Sequence, residues 1–225
     1  MTEFEATLPW HPYPDLTDAE RIARAHAFYE TMRTRHSCRA FSDQPVPREV
    51  IEQAILAAGT APNGANHQPW HFAVIGSPEA KATIRVAAEE EERRFYAGRA
   101  GPQWLNAVLP LGTDADKPYL EIAPWLIVVF AQRRGGPDPE DDMQNYYVTE
   151  SVGIACGLLL ATLHAAGVAT LTHTPNPMRF LNRVCRRPEQ EKPLMIVVAG
   201  HPAADATIPG HAAHKKSLDQ ISSWI

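Results

Sequence analysis

An acidic and aromatic stretch, EEEERRFY at residues 89–96, carries side chains whose spacing could hold a ligand. Glu89 and Arg93 are four residues apart, and pairs with this spacing face each other on a helix and usually form a solvent-exposed surface. Glu92 and Tyr96 have the same spacing, so a helix would bring a carboxylate and a phenol to one face. That pair could bind an amine and cover an aromatic ring. The stretch alone favours the solvated surface, and the rest of the chain must decide.

A basic segment, RHSCRAFSD at residues 35–43, is the second candidate. Arg35, Ser37 and Arg39 alternate, so an extended backbone would project two guanidinium groups and a hydroxyl to the same side. Arginine is well suited to forked contacts with a phosphate group. The alternative interpretation is a basic turn between two helices.

Two loops complete the set of candidates. The stretch APNGANHQPW at residues 61–70 is rich in residues that form tight turns, and its exposed N–H groups could approach a flat ligand closely. Thr172 stands at the end of a predicted buried strand, where a hydroxyl could face a ligand. The alternatives are a plain connector to the next strand and a capping residue for a short helix.

Several familiar sites are absent from the sequence. It contains no GxGxxG after a strand, no GxxxxGK[ST] and no GxSxG, so the dinucleotide, P-loop and nucleophile-elbow fingerprints do not apply. His67 and His71 span Pro69 and need not share a helix face, and His211 and His214 lie in a tail of small residues. We therefore expect no metal site.

The bulk composition is that of a globular protein. The 225 residues are 44% hydrophobic and 21% charged, and this length suits one sizeable core. The net charge of -5 does not favour a nucleic acid or an anionic membrane as a partner. No uninterrupted apolar run reaches the length of a bilayer span, and the N-terminus lacks the pattern of a secretory signal. Three widely spaced cysteines suit a reducing compartment, so we expect a cytoplasmic protein.

The periodicity of apolar residues predicts long helices and few strands. A capping box at Thr17 and Glu20 opens the first helix, and a longer helix begins at Ser77. The run PWLIVVFA at residues 124–131 is typical of a strand buried on both faces. The apolar stretch at residues 146–167 predicts a central helix that is buried nearly all round. These elements predict a sheet with helices on its faces.

Together these motifs resemble the flavin-dependent nitroreductase superfamily and, within it, the iodotyrosine deiodinases. The resemblance runs from Tyr13 to the C-terminus and is carried by RHSCRAFS, APNGANHQPW, SVGIACGLLLATL and SLDQI. RxSxR marks only the superfamily, whereas a trio of glutamate, tyrosine and lysine is the more specific part. The resemblance implies an α+β fold, with a single nitroreductase-like domain over residues 1–225. It would be a three-layer α/β/α sandwich with a mixed central sheet, assembled as an intertwined homodimer.

The resemblance also implies FMN as the cofactor. His36 replaces an arginine that is often found in the phosphate-binding segment, and Lys215 stands where arginine is more usual. The residues that match the phosphate-binding positions are Arg35, His36, Ser37, Arg39 and Lys215.

A loop from the neighbouring subunit would pass over the isoalloxazine ring. The matching residues here are Pro62, Asn63, Gly64 and Ala65. The backbone N–H of Ala65 would also meet the phenolate of the substrate. Asn63 stands where serine is usual, and this departure should leave the backbone contacts intact.

The turn after the threonine-rich strand would contact the flavin as well. Thr172 matches the hydroxyl that donates a hydrogen bond to flavin N5, and it is the expected catalytic residue. His173 and Thr174 belong to the same cofactor-binding turn, in which His173 replaces a threonine.

A mobile lid around residues 88–118 would bind the amino acid end of the substrate. The resemblance assigns Glu92, Tyr96 and Lys117 to this role. A zwitterion needs a carboxylate for its ammonium group and a cation for its carboxylate, and closure of the lid would exclude water. The solvated face of the helix would then consist of Glu89, Glu90, Arg93 and Arg94.

The expected function is FMN-dependent reductive dehalogenation of halotyrosines, with electrons from NAD(P)H or a reductase. The alternatives are a general nitroreductase or quinone reductase, a relative that cleaves reduced FMN, and a non-catalytic flavin-binding protein. The glutamate, tyrosine and lysine trio argues against the first two alternatives, because neither would need a clamp for a zwitterion.

Overall fold

The computed structural model describes residues 7–11, 13–108, 110, 114–136, 138 and 140–225. The chain divides into two units, Met1–Thr34 and Arg35–Ile225. The first unit contains helix α1 (Asp18–Met32), which begins with the predicted capping box. The backbone N–H of Thr17 donates to the Glu20 carboxylate at 2.7 Å, and the Glu20 N–H donates to the Thr17 hydroxyl at 3.3 Å.

The second unit is built on a four-stranded sheet with the strand order β1-β2-β4-β3. All neighbouring strands of this sheet pair antiparallel. The four described strands thus form an antiparallel sheet and not the mixed sheet that was predicted, and the bridge between Ser37 and Thr170 is a parallel but isolated pairing. The strands are β1 (Trp70–Ile75), β2 (Trp125–Ala131), β3 (Ala169–His173) and β4 (Lys192–Gly200).

Helices cover both faces of the sheet, which gives the predicted α/β/α sandwich. Alternate residues of β2 point to opposite faces, so Val128 packs in one core cluster and Val129 in the other. The cluster that contains Val128 holds buried residues of α3, α5 and α7, and the cluster that contains Val129 holds buried residues of α2 and α6. The helices of this unit are α2 (Arg48–Gly59), α3 (Pro78–Arg94), α4 (Pro102–Val108), α5 (Tyr119–Ile122), α6 (Val148–Ala165), α7 (Phe180–Val184) and α8 (Leu218–Ile221).

Helix α6 has the apolar character and the place in the core that its sequence predicts, but one of its faces is exposed. Its length and hydropathy are sufficient for a membrane span, and it is the one such helix in the part of the chain described. Its buried residues Val152, Leu159 and Leu163 pack in a core cluster with the sheet, as expected for the core helix of a globular fold. Burial all round is not found within one chain, because Ile154 on α6 is 46% exposed. That face of α6 is therefore apolar although a single chain does not bury it completely.

Two features of the fold position the candidate residues. The segment at residues 35–39 runs beside β3, and the backbone N–H of Cys38 donates to the Thr170 carbonyl at 3.0 Å. On the other side of β3, α3 packs against α5. The end of β3 consequently lies between the basic segment and the acidic helix.

Candidate functional site

The basic segment has the alternation that its sequence predicts. Cys38 is buried in the core, whereas Arg35, Ser37 and Arg39 line a cavity of about 130 Å³. The bridge from Ser37 to β3 holds this stretch extended, so alternate side chains point the same way. The interpretation as a plain basic turn is therefore wrong.

This small cavity has the chemistry of an anion site. Within the described part of the chain, neither Arg35 nor Arg39 lies within ion-pair distance of a carboxylate. Lys215, whose Nζ donates to the Ala212 carbonyl at 2.9 Å, reaches the same cavity from the C-terminal tail. Positive charge without a local counterion, together with a serine hydroxyl, suits a phosphate group. The full lining is Arg35, His36, Ser37, Arg39, Ile208, Pro209, Ala212 and Lys215.

A larger cavity of about 400 Å³ adjoins the first, and Arg39 lies on the wall of both. It brings together predicted residues from three distant parts of the sequence: the acidic helix, the lid segment and the end of β3. Its lining is Arg39, Glu92, Tyr96, Val108, Asp114, Asp116, Lys117, Pro118, Tyr119, Leu171, Thr172, His173 and Thr174.

Glu92 and Lys117 face each other on the wall of this cavity. The Lys117 Nζ lies 3.7 Å from a carboxylate oxygen of Glu92, and both side chains are largely shielded from water. Burial raises the pKa of Glu92, and the positive charge of Lys117 opposes that shift. Lys117 also donates to the Asp114 carbonyl. The structure therefore holds two opposite charges side by side at the cavity, each compensating the other.

Glu89 does not belong to the solvated face to which the sequence interpretation assigned it. Its side chain is only 14% exposed, whereas that of Glu90 is 46% exposed. Glu89 accepts the backbone N–H of Lys117 at 2.8 Å and pairs with the Arg85 guanidinium at 2.6 Å. Arg93 lies within ion-pair distance of Glu89, as its four-residue spacing predicts. The hydrogen bond to the distant Lys117 nevertheless keeps the Glu89 carboxylate away from solvent.

The end of β3 presents two hydroxyl groups and one imidazole in alternation. Thr172 and Thr174 are exposed at the cavity, while His173 between them is buried. The Nδ1 atom of His173 lies 3.3 Å from the hydroxyl of Tyr119, and Nε2 has no hydrogen-bond partner. Burial, with a smaller effect from Lys117, lowers the pKa of His173 to about 3. His173 is thus a largely buried, neutral group that forms part of the cavity wall.

Tyr119 is among the cavity residues that the sequence analysis did not single out. It follows Lys117 by two positions and stacks edge-on against the His173 ring at a centroid distance of 5.7 Å. Burial raises its pKa, so its hydroxyl stays protonated. Its position two residues after the lysine in KPYL could have identified it from the sequence, because a tyrosine there begins α5 and points its ring inward.

The loop at residues 62–65 has a defined shape but lines neither cavity within one chain. The Asn63 amide donates to the Ala61 carbonyl at 3.0 Å and accepts the Gln68 N–H at 2.8 Å. Ala65 has a left-handed backbone with φ of 53°. At Gly64 a Cβ atom would come within 2.9 Å of the Tyr146 carbonyl oxygen, so only glycine fits this close approach.

Known proteins of one family resemble this chain in sequence and in fold. The sequence model of the nitroreductase family matches residues 32–201. The chain belongs to the nitroreductase family.

Iodotyrosine deiodinases are among the family members to which the chain is similar. The enzyme of Haliscomenobacter hydrossis is 48% identical over 190 residues, which cover 84% of this chain and 86% of the relative. Iodotyrosine deiodinase 1 of Homo sapiens is 42% identical over 210 residues, which cover 93% and 71%.

Two solved structures have the same fold as this chain. A crystal structure of oxidised iodotyrosine deiodinase bound to FMN and 3-iodo-L-tyrosine superposes with a TM-score of 0.69 at 28% identity, covering 79% of this chain and 90% of that one. A nitroreductase from Desulfitobacterium hafniense with bound FMN shares the fold, with a TM-score of 0.64 at 20% identity and coverage of 88% and 98%.

The low pKa of His173 predicts how the stability of this nitroreductase-family chain depends on pH. On acidification the unfolded chain binds a proton at His173 near its ordinary pKa of about 6.5, whereas the folded chain does so only near pH 3. The free energy of unfolding should therefore fall through that window. We expect the variant His173→Gln to lose part of this slope, as measured by urea unfolding at a series of pH values. Parallel slopes for the two proteins would contradict a buried, neutral His173.

Proposed function

We propose that this chain catalyses the FMN-dependent reductive dehalogenation of halotyrosines. The observation that carries the proposal is the pair of opposite charges, Glu92 and Lys117, on the wall of the 400 Å³ cavity. A generalist reductase of flat aromatic compounds has no use for this pair. A free amino acid carries an ammonium group and a carboxylate, and it needs both.

The residues of the small cavity fit the phosphate of FMN. Arg35, Arg39 and Lys215 supply positive charge and Ser37 supplies a hydroxyl. Arg39 joins this cavity to the larger one, so a ligand whose phosphate lies in the first can extend its ring system towards the second. When bound, the flavin supplies two electrons, which with one proton convert a carbon–halogen bond into a carbon–hydrogen bond and halide.

The amino acid end of the substrate would insert between Glu92 and Lys117. The substrate ammonium replaces Lys117 beside the Glu92 carboxylate, and the substrate carboxylate replaces Glu92 beside the Lys117 ammonium. Each buried charge then exchanges one partner for another and none is left alone, which avoids the large penalty of an unpaired buried charge. Tyr96 lines the same wall and can cover the aromatic ring.

Electrons would come from NAD(P)H, directly or through a reductase, as the family relationship favours. The cytoplasmic location expected from the sequence stays a prediction.

The first prediction concerns recognition of the zwitterion. The FMN-loaded protein should bind 3-iodotyrosine far more tightly than 2-iodophenol, as measured by quenching of flavin fluorescence. Glu92→Gln and Lys117→Ala should each weaken 3-iodotyrosine binding by about tenfold or more, because each leaves a charge of the ligand unpaired. Binding of 2-iodophenol and retention of FMN should not change.

Glu90→Gln is the matched control, since Glu90 lies on the same helix and is exposed to solvent. Equal, weak binding of both ligands by the wild-type protein would overturn the proposed substrate class and favour a general nitroreductase. Loss of FMN from Glu92→Gln or Lys117→Ala would show that these residues do not form a substrate clamp.

A second prediction concerns the hydroxyl groups at the end of β3. Thr172→Ala should slow dehalogenation while leaving nitro reduction largely intact, because the hydroxyl orients a hydrogen bond towards the flavin ring. Thr172→Ser should restore the rate. Thr174→Ala is the informative comparison, since Thr174 is exposed at the same cavity. A specific loss in Thr174→Ala with none in Thr172→Ala would assign the hydroxyl role to Thr174.

A third prediction concerns assembly. The site lacks the loop at residues 62–65 within one chain, and exposed apolar side chains occur on the packed helices α2 and α6, at Leu56 and Ile154. We infer a homodimer in which α6 is covered and the loop of the second subunit reaches the flavin.

Ile154→Asp should shift the protein towards monomer in sedimentation velocity and weaken FMN binding, because a buried charge opposes the interface. Val86→Asp, at an exposed apolar position on α3, is the control and should remain dimeric. A wild-type monomer with full FMN occupancy would overturn the inference.

A further inference from the structure

One face of α3 carries a row of charged residues that all reach the segment containing Lys117. Lys81, Arg85, Glu89 and Glu92 follow one another at intervals of four, four and three residues, which places them on the same side of the helix. Lys81 begins the row, and its buried Nζ donates to the carbonyls of Glu121 at 2.8 Å and Ala123 at 2.9 Å. The end of α5 is thereby fixed to α3.

Arg85 fixes the segment on both sides of Lys117. Its Nη2 atom lies 2.7 Å from Asp116, which directly precedes Lys117. Its Nη1 atom lies 3.2 Å from Glu121, four residues later. Its Nε atom donates to Glu89 at 2.6 Å, and this hydrogen bond is the main reason that the pKa of Arg85 is raised. One guanidinium group thus joins three carboxylates that would otherwise repel one another.

Glu89 completes the connection by holding the main chain of Lys117 itself. The oxygen that accepts from Arg85 also accepts the backbone N–H of Lys117 at 2.8 Å. With its backbone fixed there, the Lys117 side chain extends towards Glu92, one helical turn further along α3. A charge-assisted hydrogen bond of this kind is stronger than one between neutral groups.

We propose that Arg85 and Glu89 are positioning residues for substrate recognition. They hold Lys117 in the place where the carboxylate of a zwitterionic substrate is bound, although neither of them lines the cavity. This inference rests on the proposed function of the Glu92 and Lys117 pair. A lysine already held in place loses little freedom when a ligand binds, so the affinity for the zwitterion depends on this support. A phenol without the amino acid group makes no use of it.

The test compares Glu89→Gln with Glu90→Gln in the FMN-loaded protein. Glutamine at position 89 keeps the size of the side chain and one acceptor oxygen, but it removes the negative charge that holds Arg85. We expect the Kd for 3-iodotyrosine to rise about tenfold in Glu89→Gln, and the KM to rise more than kcat falls. The Kd for 2-iodophenol and the FMN content should stay at the wild-type level. Glu90→Gln should bind both ligands like the wild type.

A second variant tests whether a folding defect, and not the loss of support for Lys117, causes the change in Kd. Glu121 is 39% exposed and does not line the cavity, so Glu121→Gln should fold normally. It should raise the Kd for 3-iodotyrosine in the same direction by a smaller factor, since it removes one of the three partners of Arg85. Hydrogen exchange of the Lys117 amide should accelerate in Glu89→Gln and stay slow in Glu90→Gln, because an uncharged acceptor holds that N–H more weakly; this measurement needs no ligand.

The outcomes separate this inference from the proposed function. If the wild type discriminates between the two ligands and Glu89→Gln discriminates equally well, the positioning role is wrong and the proposed function stands. Equal weakening for both ligands in Glu89→Gln would also overturn the positioning role, because it would indicate a general structural defect. A wild type that does not discriminate would overturn the proposed function and, with it, the role of Arg85 and Glu89 in recognition.

Discussion

The site depends on the ion pair between Glu92 and Lys117, because two opposite charges removed from water must each keep a partner. Removing either side chain would leave the other charge at a largely buried wall without its partner. Their 25-residue separation in sequence means that only the packing of α3 against α5 brings them together. The row of charged residues on α3 and the bonds from Lys81 to the end of α5 therefore serve the same requirement as the pair itself.

The layered fold could be predicted from the sequence because its signals are local. The run at residues 124–131 contains no charged residue, which is possible only for a strand covered on both faces, and the structure buries β2 between two core clusters. The capping box of α1 is equally local. Helix α6 was predicted correctly as a central helix of the core. The exposure of Ile154 within one chain could not be predicted, since periodicity cannot distinguish a surface buried by the same chain from one covered by another.

The site was predicted less evenly, and two residues show why. The spacing between Glu89 and Arg93 fits an exposed surface. The partners of Glu89 in the structure include Arg85 and Lys117, and Lys117 is 28 residues away. Sequence spacing carries no information on such a contact. His173 was expected to contribute to a flavin-binding turn in place of a threonine. The alternation of a strand implies that its side chain points away from that of Thr172, and its ring packs against Tyr119, a contact that sequence spacing does not predict. The role of His173 in cofactor binding stays a prediction.

Arg39 lies on the wall of both cavities, and this position links the occupants of the two sites energetically. A guanidinium group neutralised by an anion in the small cavity presents less positive charge to the larger one, and the converse also holds. Thermodynamic reciprocity then requires that whatever binding in one cavity does to affinity in the other is returned in equal measure. The affinity of each cavity for its ligand therefore depends in part on whether the other cavity is occupied.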